Sequence, residues 1–146
     1  MPAQREVTET EIRQRFRQVV AGLQAKDLDA LRQRYAPDVV SFDVEPPLQH
    51  VGIEAKLANW SRTFAMFADL SYELRDLTIV AADDLAVAYG FARLSGTLRD
   101  GTTTGGAWVR VTYCLRNIEG DWLIVQDHVS VPFDFPTGKG VVDLTP

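Results

Sequence analysis

The chain is poor in sulfur and carries no concentrated positive charge. One cysteine, Cys114, among 146 residues leaves no internal disulfide and no cysteine-based zinc motif. Fifteen Lys and Arg against twenty Asp and Glu give a net charge of −5. With no long Lys/Arg run, no nucleic-acid partner is expected. No apolar run approaches the roughly 18 residues that a membrane span needs, so no membrane partner is expected either. Only two histidines are present, His50 and His128. They have no third ligand at recognisable spacing, which speaks against a metal site. The polar start, Met1-Pro-Ala-Gln-Arg-Glu6, lacks the apolar stretch of a signal peptide. A cytoplasmic location follows as the expectation. Repeats and low-complexity stretches are absent.

What is present fits one globular domain over residues 1–146, with 1–7 and 133–146 as loose ends. Hydrophobic residues make up 46%, enough for a real core at this length. Thr8 and Glu11 have capping-box spacing. Ile12, Phe16, Val19, Val20 and Leu23 then form the stripe of an amphipathic helix. Asp27 caps a short second helix through Leu28, Leu31 and Tyr35, which Pro37 ends. Val39 to Asp43 reads as a strand broken by Glu45-Pro-Pro47. Ile53, Leu57, Trp60, Phe64 and Phe67 space a third helix. Strands follow over Leu70–Val80, Leu85–Leu98, Ala107–Arg116 and Trp122–Val131. The order α-α-β-α-β-β-β-β implies an α+β fold, with helices packed on one face of an antiparallel sheet.

The last strand holds the most informative residue. Leu123, Val125, Asp127, Val129 and Val131 alternate along one face, and only Asp127 is polar. An acid in an apolar row must be paired, hydrogen-bonded or protonated. Ile118-Glu119-Gly120 fits a three-residue turn ending in a left-handed glycine. That turn sets Asn117 against Asp121, Leu115 against Leu123, Tyr113 against Val125 and Val111 against Asp127. Arg110 then faces His128, and Trp108 faces Ser130, on the opposite side. This register is preferred because it separates an apolar face from a polar one.

Lys26-Asp-Leu-Asp-Ala30, Tyr35-Ala-Pro-Asp-Val-Val-Ser-Phe-Asp43, Gly52-Ile-Glu-Ala55 and the closing Gly-x-Trp hairpin ending in His128-x-Ser130 resemble one family. It is the superfamily of nuclear transport factor two, ketosteroid isomerase and SnoaL-like proteins. The resemblance implies a strongly curved antiparallel or mixed sheet wrapped around three helices into a cone, with a pocket at its open end. It also implies a homodimer through the outer sheet face. Asp43 falls where the isomerase keeps its general-base aspartate, and Asp127 on the pocket-facing row of the last strand. Val19 stands where that enzyme has its oxyanion tyrosine, and Thr112 near its second acid. Both replacements speak against steroid isomerisation. Gln126 replaces the first histidine of the His-x-His-x-Ser signature common in SnoaL-like relatives.

These residues give two readings. In the first, Asp43 and Asp127 are catalytic. They face one apolar pocket, push their pKa values apart and perform acid–base chemistry on a hydrophobic small molecule without a cofactor. Tyr113, His50, Trp60, Val111, Val125 and Val129 would contact the substrate. In the second, Asp127 is satisfied by Tyr113 or a backbone amide, Asp43 only opens a loop, and the protein is a non-catalytic binding or oligomerisation module. Under either reading Trp108, Arg110, Gln126 and His128 suit a dimer interface. By analogy with the isomerase, the small residues Ala86, Ala88, Gly90 and Ala92 are expected to face inward.

Overall fold

A computed structural model describes residues 2–146. Three helices and nine strands alternate as α1 (Pro2–Gln24), α2 (Leu28–Arg32), β1 (Tyr35–Phe42), β2 (His50–Val51), α3 (Ile53–Met66), β3 (Phe67–Ala81), β4 (Leu85–Leu98), β5 (Thr103–Thr104), β6 (Trp108–Ile118), β7 (Asp121–Ser130), β8 (Phe133–Asp134) and β9 (Lys139–Gly140). The main sheet runs β2-β1-β7-β6-β4-β3, with β5 on β4. All neighbours are antiparallel except β1 and β7, which are parallel. The sheet is therefore mixed and open, an α+β fold and not a closed barrel. Among the described residues no helix is long and apolar enough to cross a membrane.

The expected stripe of α1 is the core: Ile12, Phe16, Val19 and Leu23 are all buried. Residues 2–7, expected to be loose, form the first turns of this helix, so Thr8 does not cap it. Met1 lies outside the described residues. Asp27 caps α2 as expected, its carboxylate accepting from the Ala30 amide at 3.1 Å. The helix stops at Arg32, and β1 begins at Tyr35, two residues before Pro37. The tail also has structure, since β8 pairs with β9.

The sheet bends where backbones meet closely. Gly96 in β4 has φ +146°, and a Cβ there would sit 2.1 Å from the Asp69 carbonyl oxygen. Opposite Gly90 the register of β3 slips between Arg75 and Thr78, a β-bulge that includes Asp76 at φ 56°. The small row of β4 does pack inward: Ala86, Ala88 and Ala92 are buried.

The final hairpin corrects the expected register. Glu119 and Gly120 both have positive φ, 54° and 88°. They form a two-residue turn between Ile118 and Asp121, which pair. This turn sets Asn117 against Trp122 and Leu115 against Ile124. A bulge after Cys114 then shifts the strands, so that Tyr113 lies opposite Asp127 and Val111 opposite Val129. Trp122 and Ile124 fill the buried row of β7 in place of Leu123 and Val125. The bulge restores the inward direction at Asp127. On the outer face Arg110 pairs with Ser130, its Nε donating to the Ser130 hydroxyl at 3.2 Å, and Thr112 pairs with His128.

Candidate functional site

Asp127 is 2% exposed, the largest departure from apolar burial on its strand. Strand pairing places it in a polar row crossing four strands. His50 in β2 pairs with Ser41 in β1, Ser41 with Asp127 in β7, and Asp127 with Tyr113 in β6. Paired residues on neighbouring strands share a face. All four are buried.

The charge partner comes from α3. Lys56 lies on the apolar stripe of this helix, three residues after Ile53 and four before Trp60, so it points inward with them. Its ammonium donates to Asp127 Oδ2 at 2.7 Å and to Ser41 Oγ at 3.2 Å. The Ser41 hydroxyl donates to Asp127 Oδ1 at 2.5 Å. The ammonium also faces the rings of Tyr35 at 5.2 Å and Trp60 at 6.0 Å, close enough for cation–π attraction in a desolvated setting. Asp127 is thus satisfied by Lys56 and Ser41, neither of which stood among the expected site residues.

Three tyrosines surround this pair. Burial pushes the Tyr35 hydroxyl well above its ordinary pKa, and the Asp127 carboxylate adds to the shift. Burial also raises Tyr113 strongly, helped by Tyr72, Tyr35 and Asp127. Tyr72 in β3 is pushed up to about 12, chiefly by burial, against a hydrogen bond from Tyr113 that lowers it. All three should stay neutral donors near pH 7.

His50 is 8% exposed, and among the described residues its buried Nε2 has no hydrogen-bond partner. A buried polar atom without a partner costs about 1–3 kcal/mol. Asp43 stands two residues beyond Ser41 and is half-buried. Its carboxylate accepts from its own neighbour, the Val44 amide, at 2.7 Å and from Asn59 Nδ2 of α3 at 2.6 Å. Asp127 is therefore paired with Lys56, while Asp43 is engaged by Val44 and Asn59. Trp60 is half-buried, stacked on Phe64 at 5.7 Å and edge-on to Tyr72 at 6.2 Å. Val111 is buried and Val129 half-buried beside the row, while Val125 lies half-buried at the bulge. Two surface clefts, of about 390 and 530 Å³, are not lined by Asp43, Asp127 or Lys56.

The outer face is arranged differently from expectation at Trp108. Its ring is 9% exposed and lies under the guanidiniums of Arg75 and Arg93, at 4.3 and 4.8 Å. Arg110 and His128 are exposed, and Gln126 is half-buried with its amide donating to the Asp127 carbonyl at 2.7 Å.

The family model described as a SnoaL-like domain matches residues 12–134. The chain belongs to the SnoaL-like domain family. This SnoaL-like protein is similar to an NTF2-like protein of unknown function from Pseudomonas putida KT2440, at 32% identity. The match covers 97% of this chain and 98% of the other, with a TM-score of 0.86. A nuclear transport factor 2-like superfamily protein from Salmonella enterica is 20% identical over 93% and 99%, with a TM-score of 0.79. A candidate scytalone dehydratase from Novosphingobium aromaticivorans is 12% identical over 88% and 87%, with a TM-score of 0.80, a likeness of fold alone. No curated protein sequence matches the chain.

Proposed function

We propose that this SnoaL-like protein is a cofactor-free acid–base enzyme acting on a small, largely apolar molecule at the open end of its sheet. The observation that carries this reading is the buried Lys56–Asp127–Ser41 network beside the partnerless His50 Nε2. Burying an ion pair is expensive, and apolar residues of the same volume would serve stability as well or better. Buried ionisable groups set beside other titratable side chains are candidates for an acid–base site.

In this reading Asp127 is the group that moves the proton. Lys56 holds it as a carboxylate, and Ser41 orients one of its oxygens. The free oxygen lone pairs take a proton from carbon beside a carbonyl, or from an attacking water. The resulting acid returns that proton to the product, which suits isomerisation, dehydration, cyclisation or epoxide opening. His50 and Tyr113 bind the substrate oxygen. Asp43 and Asn59 line the rim, with Asp43 as a second base. Trp60, Val111, Val125 and Val129 supply apolar contact. The likeness to a candidate dehydratase is in keeping with this chemistry. Arg110, Gln126 and His128 form the rim of a homodimer contact, with Trp108 as covered support.

A second reading has one specific observation in its favour. Lys56 already neutralises Asp127, and neither surface cleft reaches it. A binding or oligomerisation module would keep the pair for structure. A turnover screen against ketone, epoxide and lactone panels decides between the two, with Asp127→Asn and Asp43→Asn as controls. Turnover lost in Asp127→Asn supports the enzyme. No turnover on any panel, or activity unchanged in both variants, supports the module.

A further inference from the structure

A second site is lined by none of Ser41, His50, Lys56, Tyr113 and Asp127. Between α1 and β3 runs the groove of about 530 Å³, a volume that suits a small organic ligand. Its floor is apolar: Phe16, Val20, Tyr72, Leu74 and Leu77. Both ends are tied. Arg13 donates to the Leu77 carbonyl at 3.0 Å at one end, and Gln24 accepts from the Tyr72 amide at 3.2 Å at the other. From residue 13 to residue 24 the helix rises roughly 16 Å, so the groove is long and narrow.

The charges on its rim are unequal. Arg13 is committed to Glu9 at 2.9 Å. Glu73, the acid of the rim, is committed to Arg93 at 3.3 Å and Arg75 at 3.7 Å. Arg17 donates only to the neutral Gln14 amide at 2.9 Å, and among the described residues it has no carboxylate partner. The groove therefore presents one uncommitted cation over an apolar trough.

We propose that this groove binds an elongated apolar carboxylate, its chain along Phe16, Val20 and Leu74 and its anionic head at Arg17. The site shares no lining residue with Ser41, His50, Lys56, Tyr113 or Asp127, although Phe16 on its floor packs against Tyr113 of that row, and it stands whether or not the row is catalytic. Decanoate is the probe. Titration followed by amide NMR should shift Ala21, Tyr72 and Leu77. Ala21 is exposed, so Ala21→Trp fills the groove without disturbing the core, and binding should fall more than tenfold. Arg17→Glu should weaken it about fivefold, the scale of one exposed charge contact. Decan-1-ol should bind the wild type about fivefold more weakly than decanoate on the same ground. Asp127→Asn should leave decanoate affinity unchanged. Shifts centred on Ser41, Lys56 and Asp127, or equal binding of decanoate and decanol with no effect of Arg17→Glu, would overturn the proposal.

Discussion

Replacing Lys56 with methionine strips Asp127 of its cation while leaving the helix face apolar. The two side chains are 8% and 2% exposed, so water cannot replace the ammonium. Removing one partner of a buried ion pair costs about 3–5 kcal/mol. Against a total stability of about 5–15 kcal/mol, that is a large fraction. For a domain near this size each kcal/mol lowers Tm by roughly 2–4 °C, so a fall of about 6–20 °C is expected at pH 7.5. The double variant Lys56→Met/Asp127→Asn removes both charges and keeps an acceptor for Ser41. It should recover most of the loss, giving a coupling of at least about 2 kcal/mol in a double-mutant cycle. Urea denaturation at pH 7.5 measures each quantity. A loss under about 1 kcal/mol in Lys56→Met, or a double variant no more stable than Lys56→Met, would refute the reasoning.

The three shifted tyrosines predict alkaline sensitivity. Tyr35 and Tyr113 are raised well above the ordinary value and Tyr72 to about 12. Above pH 10 the unfolded chain loses protons that the folded one keeps, so stability falls from about pH 10 upward, with Tyr72 alone contributing about 2–3 kcal/mol by pH 12. Absorbance at 295 nm should show three of the four tyrosines ionising only with unfolding; a reversible titration of all four near pH 10 would contradict this. Gly96→Ala forces a Cβ to 2.1 Å from the Asp69 carbonyl oxygen, and should cost about 2 kcal/mol or more in thermal denaturation, in line with the cost of strained backbone. Arg110→Glu, placed on the exposed outer face, should halve the sedimenting mass, and an unchanged mass would count against that dimer surface.

Much of the fold can be read from local pattern, because local pattern sets it. The turn residues Ala82-Asp83-Asp84 bound β4, whose limits Leu85–Leu98 match expectation. The stripe of α1 follows from periodicity, whereas the inward direction of the β4 alanines follows from the family resemblance. The hairpin register does not. A glutamate at φ 54° is unfavourable, so a two-residue turn scores poorly beside a three-residue turn ending in glycine. The bulge after Cys114 carries no glycine to mark it. Asp127 reads correctly as inward because turn and bulge compensate at that position.

The site is only half visible in one dimension. Asp127 stands out in an apolar row, but its partner is 71 positions away by number, 56 against 127, and no spacing joins them. A signal for Lys56 does exist. It sits within the Ile53, Leu57, Trp60 stripe, where a lysine must either reach water or find an acid. Ser41 had no such mark, since a lone serine in a strand is unremarkable until pairing sets it between His50 and Asp127. Asp43 stood out beside its proline-rich loop, yet its carboxylate is engaged by Asn59 and its own backbone.

The central claim is that Asp127, held by Lys56, transfers the proton. The kinetics of Asp127→Asn on a substrate returned by the turnover screen test it most directly. Asparagine keeps the shape and the Ser41 contact but cannot accept a proton. The account predicts that kcat/KM falls about 10²–10⁴-fold, the usual worth of a positioned general base, with the circular dichroism spectrum unchanged. A folded variant that turns over at the wild-type rate would contradict it.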